Sequence, residues 1–88
     1  TFITSEDMVL PISTTLYIVF SKAIDISINN LYEWELWDEQ NSILLMRSDY
    51  RYLLWNFTQR GIYTVKLKFT DSNSNEIIYT KRSWIKII

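Results

Sequence analysis

Ile62-Tyr63-Thr64-Val65-Lys66-Leu67-Lys68-Phe69-Thr70 decides the reading of this chain. Tyr63, Val65, Leu67 and Phe69 share one parity, and Thr64, Lys66, Lys68 and Thr70 share the other. An apolar period of two over this length predicts a strand with one face on a core and one in water. Gly61 precedes it and Asp71-Ser72-Asn73-Ser74-Asn75 follows, both of them turn signals.

Working outward, Leu31-Tyr32-Glu33-Trp34-Glu35-Leu36-Trp37 repeats the pattern. Tyr32, Trp34 and Leu36 fall on one face, with Glu33 and Glu35 on the other. Thr15 to Ser21 is apolar on both faces, which suits a strand covered on both sides or one of ambiguous register. Ser42 to Arg47, Tyr50 to Phe57 and a run from Glu76 to Ile88 supply three more strands. The last is expected to kink or bulge near Lys81-Arg82-Ser83. A short edge strand at Met8-Val9-Leu10, stopped by Pro11, completes the set. Lys22 to Asn30 reads as a loop or a weak extra strand. About seven short strands with regular turns predict an all-β, two-sheet antiparallel sandwich of the immunoglobulin-like kind.

The chain has 88 residues, enough for one domain over 1–88. Thr1 to Asp7 is the one stretch that reads as a linker. A start at Thr1 fits a segment of a larger polypeptide, with processing of a short precursor as the rival. The aromatic share is 16%, which argues for a packed core and against disorder. Few glycines and prolines, with abundant Ile, Asn and Lys, suit an AT-rich genome.

The stretch from Phe57 through Gly61-Ile62-Tyr63-Thr64-Val65-Lys66-Leu67 to Asp71-Ser72-Asn73 resembles the end of a PKD (polycystic kidney disease) domain. Tyr32-Glu33-Trp34-Glu35-Leu36-Trp37-Asp38 is similar to that family's Tyr-x-Trp-x-Phe-Gly-Asp segment, except that Trp37 replaces its glycine. Trp84-Ile85-Lys86-Ile87 fits its final strand. The resemblance spans the chain from about Leu16 onward. It implies a two-sheet sandwich used as a spacer or adhesion unit in a cell-surface, secreted or virion protein. The signature carried over is Trp34, Gly61, Tyr63, Val65 and Leu67.

Physical chemistry adds to this. Gly61 suits a positive φ at the corner between strands. Tyr63 is placed to pack inward and return its hydroxyl to a corner backbone group, as in a tyrosine corner. If the two charged strands are neighbours, Glu33 and Glu35 face Lys66 and Lys68, a match of roughly 0.2–1 kcal/mol per pair.

The chemistry on offer is narrow. Histidine and cysteine are absent, which removes the usual nucleophile–base pairs, thiolate zinc sites and disulfides. The carboxylate pairs Glu33/Glu35 and Asp38/Glu39 read as solvated surface charge, and no enzyme is expected. A net charge of −1 without basic clusters speaks against a nucleic-acid partner. No apolar run is long enough to insert as a membrane helix. Asp71, Asn73 and Asn75 match the first ligands of a calcium loop, but its central glycine and final glutamate are missing. A plain Asn/Ser turn is the favoured reading, so no cofactor is expected, with calcium as the alternative. Asn56-Phe57-Thr58 is a glycosylation triplet that also arises by chance.

Trp37, Trp55, Trp84 and Tyr79, with Tyr50 and Tyr52, exceed what one small core needs. Buried, they are core; exposed on one face, they form a contact patch for neighbouring domains or protein subunits, or for carbohydrate.

Overall fold

The computed structural model describes residues 1–20 and 31–88. The expected loop at Lys22–Asn30 lies outside the described residues. Seven strands follow in order: β1 (Met8–Leu10), β2 (Thr14–Val19), β3 (Leu31–Asp38), β4 (Ile43–Ser48), β5 (Tyr52–Phe57), β6 (Gly61–Thr70) and β7 (Glu76–Ile87). They form an all-β sandwich. One sheet has the order β1-β7-β6-β3-β4 and the other pairs β2 with β5.

β6 sits in the middle of the larger sheet because it is the strand whose alternation is cleanest. Tyr63, Val65, Leu67 and Phe69 are all buried. Beside it, β3 contributes Trp34 and Leu36, and across the gap the smaller sheet contributes Leu16, Ile18, Leu53 and Phe57. The rings of Phe57 and Tyr63 meet edge-on between the two sheets, their centroids 4.9 Å apart. Phe20 stacks on Phe69 at 4.6 Å, beneath Tyr32 and Tyr79. The core's one polar debt is the indole N–H of Trp34, which is buried without a hydrogen-bond partner among the described residues.

The β3–β6 register sets Glu33 opposite Lys68 and Glu35 opposite Lys66, the alignment that the charge pattern called for. The ion pairs themselves form elsewhere. Lys68 reaches Glu76 at 3.4 Å and Glu35 takes Arg47 at 3.1 Å. All of these side chains lie on the solvated face, so each pair contributes little.

Two expectations need correction. Pairing is not wholly antiparallel, because β1 runs parallel to β7. Nor is Thr1–Asp7 a linker. Its backbone adds to the free edge of β2: Val19 donates to the Thr1 carbonyl and Ile3 donates to the Val19 carbonyl, at 2.9 and 2.8 Å. Ile3 is fully buried. The chain then crosses to β7, where the Trp84 indole donates to the carbonyls of Ser5 and Glu6. One long side of the sandwich is closed by this crossing strap. A lone isoleucine among polar residues gives no periodic signal, which is why the strap reads as a linker.

The last strand does break where expected. Tyr63 pairs with Ile85 and Val65 with Lys81, so one residue of β6 spans three of β7. Ser83 takes φ 51° in this bulge. Ser13, Ser42 and Ser74 also take positive φ, between 54° and 71°. With one glycine in the chain, serines carry the left-handed corners that glycine usually takes.

Two outcomes follow. Ile3→Ala lowers the stability read from urea unfolding by about 2–4 kcal/mol, where a linker residue would cost nothing measurable. Ser42→Gly raises it by about 0.5–1 kcal/mol, since the left-handed penalty outweighs glycine's entropic cost.

Candidate functional site

The turn from β5 to β6 is built first. Tyr63 Oη donates to the Gln59 carbonyl at 2.6 Å, four residues upstream. Its hydroxyl is held above its ordinary pKa, mainly by burial and secondarily by the Asp38 carboxylate opposite. Gly61, between them, has φ 158° and lies 3.8 Å from the Tyr63 ring at the point where a Cβ would stand. This corner fixes where β5 ends and how it faces β6.

Because β5 is held there, its parity is set. Leu53 and Phe57 point inward, while Tyr52, Leu54 and Asn56 point outward with Thr15 and Tyr17 of β2. The outer face of the two-stranded sheet therefore carries a row of rings. Tyr17 lies 4.9 Å from Tyr52, and Tyr52 lies 5.6 Å from Tyr50. Tyr50 is 66% exposed, Leu54 47% and Tyr17 45%, so three neighbouring large side chains meet solvent on this face. The rings are tilted or stacked against one another, so their faces are partly spent. Asn56 of the glycosylation triplet is exposed on this same face.

The aromatics singled out in the sequence fare differently. Trp84 is fully buried, because the bulge at Arg82–Ser83 turns it under the strap. Tyr79 is half-buried against Phe20 at 5.8 Å. Trp84 thus belongs to the core, and Tyr79 packs against it. Trp37 is half-buried, donates to Glu35 Oε1 at 3.0 Å and is overlaid by Lys66 Nζ at 5.5 Å from its centroid. Trp55 points inward yet is only half-buried, at a small cavity of about 170 Å³ shared with Leu45, Gln59 and Tyr63. Tyr17, which ends the row beside Tyr52, was hidden in the sequence. In a run that is apolar on both faces, no alternation tells the inner side from the outer one.

Of the signature residues, Trp34, Val65 and Leu67 lie in the core, and Trp34 pairs with Leu67. Asp71, Asn73 and Asn75 come together as a self-contained turn. Asp71 Oδ1 accepts the backbone N–H groups of Asn73 and Asn75, both at 2.9 Å, and Oδ2 accepts the Asn75 side-chain amide at 3.2 Å. The turn's own donors occupy the carboxylate, as in an ordinary Asx turn. These bonds, that of the Asn75 backbone foremost, hold Asp71 below the usual carboxylate range.

Sequence reasoning put Glu39 among the solvated surface carboxylates and could not see its partners. Its carboxylate receives the hydroxyls of Ser83 and Thr64, and the Ser83 backbone N–H in turn donates to Thr64 Oγ1 at 3.3 Å. Three elements meet there, so Glu39 ties the β3–β4 turn to the bulge of β7. The Ser83 hydroxyl first, then that of Thr64, lowers its pKa. A depression of about 650 Å³ beside Glu33, Glu35 and Arg47 is an open trough with the Glu35–Arg47 pair on its wall. Set against known proteins, the chain matches no family model, no curated protein and no solved structure.

Both lowered pKa values give the same sign of pH dependence. Each carboxylate binds its proton more weakly folded than unfolded, so its contribution is present above the unfolded values near 4 and is lost as pH falls through the folded ones. Melting temperatures measured from pH 7 to pH 2 should decline in that acid window, and less steeply for the E39Q/D71N variant. Tyr63→Phe should cost about 1–2 kcal/mol at pH 7, because it leaves the Gln59 carbonyl without its donor.

Proposed function

We propose that this chain is a non-catalytic structural or adhesion module of a larger cell-surface, secreted or virion protein. In this reading the outer face of β2 and β5 meets a neighbouring domain or subunit. The observation that carries it is the row of Tyr17, Tyr52 and Tyr50 with Leu54, all exposed but the half-buried Tyr52. Tyrosine supplies wide contact area at low conformational cost and keeps a hydroxyl for the partner. Such side chains are enriched at protein interfaces and cost solubility where they serve none.

The resemblance to PKD domains agrees with this use. The Tyr63 corner and the two-sheet core are what an immunoglobulin-like relative would have. Fold alone assigns no function, so the proposal rests on the tyrosine face and not on the sandwich. Carbohydrate binding is less well supported, because a sugar ring needs an open aromatic face and these rings lean on each other.

A photo-reactive phenylalanine analogue at Tyr50 tests the reading in the parent protein. Illumination should join this module to a neighbouring protein segment, at a yield well above that from the same analogue at Lys86. Equal yields at both positions would count against the tyrosine face. Tyrosine fluorescence that responds saturably to a soluble polysaccharide would favour the sugar reading instead.

A further inference from the structure

The two long sides of this sandwich are unlike. On one side, residues 1–10 cross from the edge of β2 to the edge of β7. Thr1 and Ile3 bond to Val19 of β2, and Met8–Leu10 pair with Ile85–Ile87 of β7. Ile3 and Trp84 fill the seam beneath, and both are fully buried. On the other side, β4 ends the larger sheet and β5 ends the smaller one. Among the described residues, no third strand lies beside β5.

That open seam shows in the packing. Trp55 shares the inward parity of Leu53 and Phe57, which are buried, yet stays half-exposed. Leu45 and Met46 of β4 pack against the core and are likewise only half-covered. Between Leu45 and Trp55 lies the cavity of about 170 Å³, floored by Tyr63. β4 bulges between its pairings to Leu36 and Trp37, which spoils its edge for adding another strand. The ladder of β5 to β2 is regular from Tyr52 to Phe57. Its outer edge is thus the better template.

Charge says what would fit. From Ile43 to Arg60 the chain carries Arg47, Arg51 and Arg60 against a single acid, Asp49, although the whole chain is net −1. Arg47 is paired with Glu35. Arg51, just before β5, and Arg60, in the turn that follows it, are exposed and form no ion pair among the described residues. A second copy pairing through its own β5 would bring like charges together, which opposes that occupant.

We infer that the outer edge of β5, beside which no described strand lies, takes a strand from another polypeptide: an extended acidic segment that places one large apolar side chain between Leu45 and Trp55. Backbone bonds to β5 would supply affinity, the cavity and the two arginines the selectivity. This edge is separate from the tyrosine face, and the inference does not depend on that face meeting a partner.

The probes are two synthetic ten-residue peptides, one alternating leucine with glutamate and one alternating leucine with lysine, titrated into the full chain and followed by amide and indole NMR. The glutamate peptide should shift the amides of Tyr52–Phe57 and the Trp55 indole saturably. It should bind about five- to tenfold more tightly than the lysine peptide. In the R51E/R60E variant, exposed positions where folding is preserved and checked by circular dichroism, the preference should reverse. No shift in β5 at millimolar peptide, equal binding of both peptides, or an unchanged preference in the variant would overturn the inference. So would sedimentation showing that the chain alone dimerises with the β5 amides protected.

Discussion

Everything in this molecule hangs on the inward stripe of β6. Tyr63, Val65, Leu67 and Phe69 must leave water together, because a strand's period of two gives them one face. A one-residue slip would put Thr64, Lys66 and Lys68 in their place, so the register is strongly specified. The facing sheet is only two strands wide, and it covers the stripe by aiming Leu16, Ile18, Leu53 and Phe57 at it. The Tyr63 hydroxyl then locks the incoming corner through Gln59. One side chain thereby serves the core with its ring and the connection with its oxygen.

What remains of the structure follows from covering a five-stranded sheet with a two-stranded one. The smaller sheet cannot close both sides. The N-terminal strap closes one, with Ile3 and the bulge-turned Trp84 beneath it. The bulge needs an anchor, and Glu39 supplies it through Ser83 and Thr64. The opposite side leaves Trp55 and Leu45 half-covered. The thinness of the small sheet also leaves its outer face as the place where Tyr17, Tyr50 and Tyr52 accumulate.

The sheet architecture was legible where side chains alternate. β3 and β6 could be read, together with the facing of Glu33 and Glu35 against Lys68 and Lys66, because charge and apolar residues take strict turns there. The corner could be read from Gly61 and Tyr63. The tyrosine face could not, since Thr15 to Val19 is apolar on both sides and its orientation is decided by which strand it meets. Whether Trp84 lies in the core or in a contact patch was left open by the sequence for a related reason. A bulge shifts parity, and its presence near Ser83 does not say which way the next ring turns. Glu39 is a carboxylate beside a carboxylate in sequence; only folding brings it Ser83 from 44 residues away.

The most direct measurement is the nuclear Overhauser effect between the Phe57 and Tyr63 rings, the one aromatic contact that joins β5 to β6 across the interior. A strong cross-peak, with a Tyr63 ring shielded from a soluble paramagnetic quencher, is the predicted result. A missing cross-peak together with a quenched Tyr63 ring would mean that this stripe does not face the second sheet.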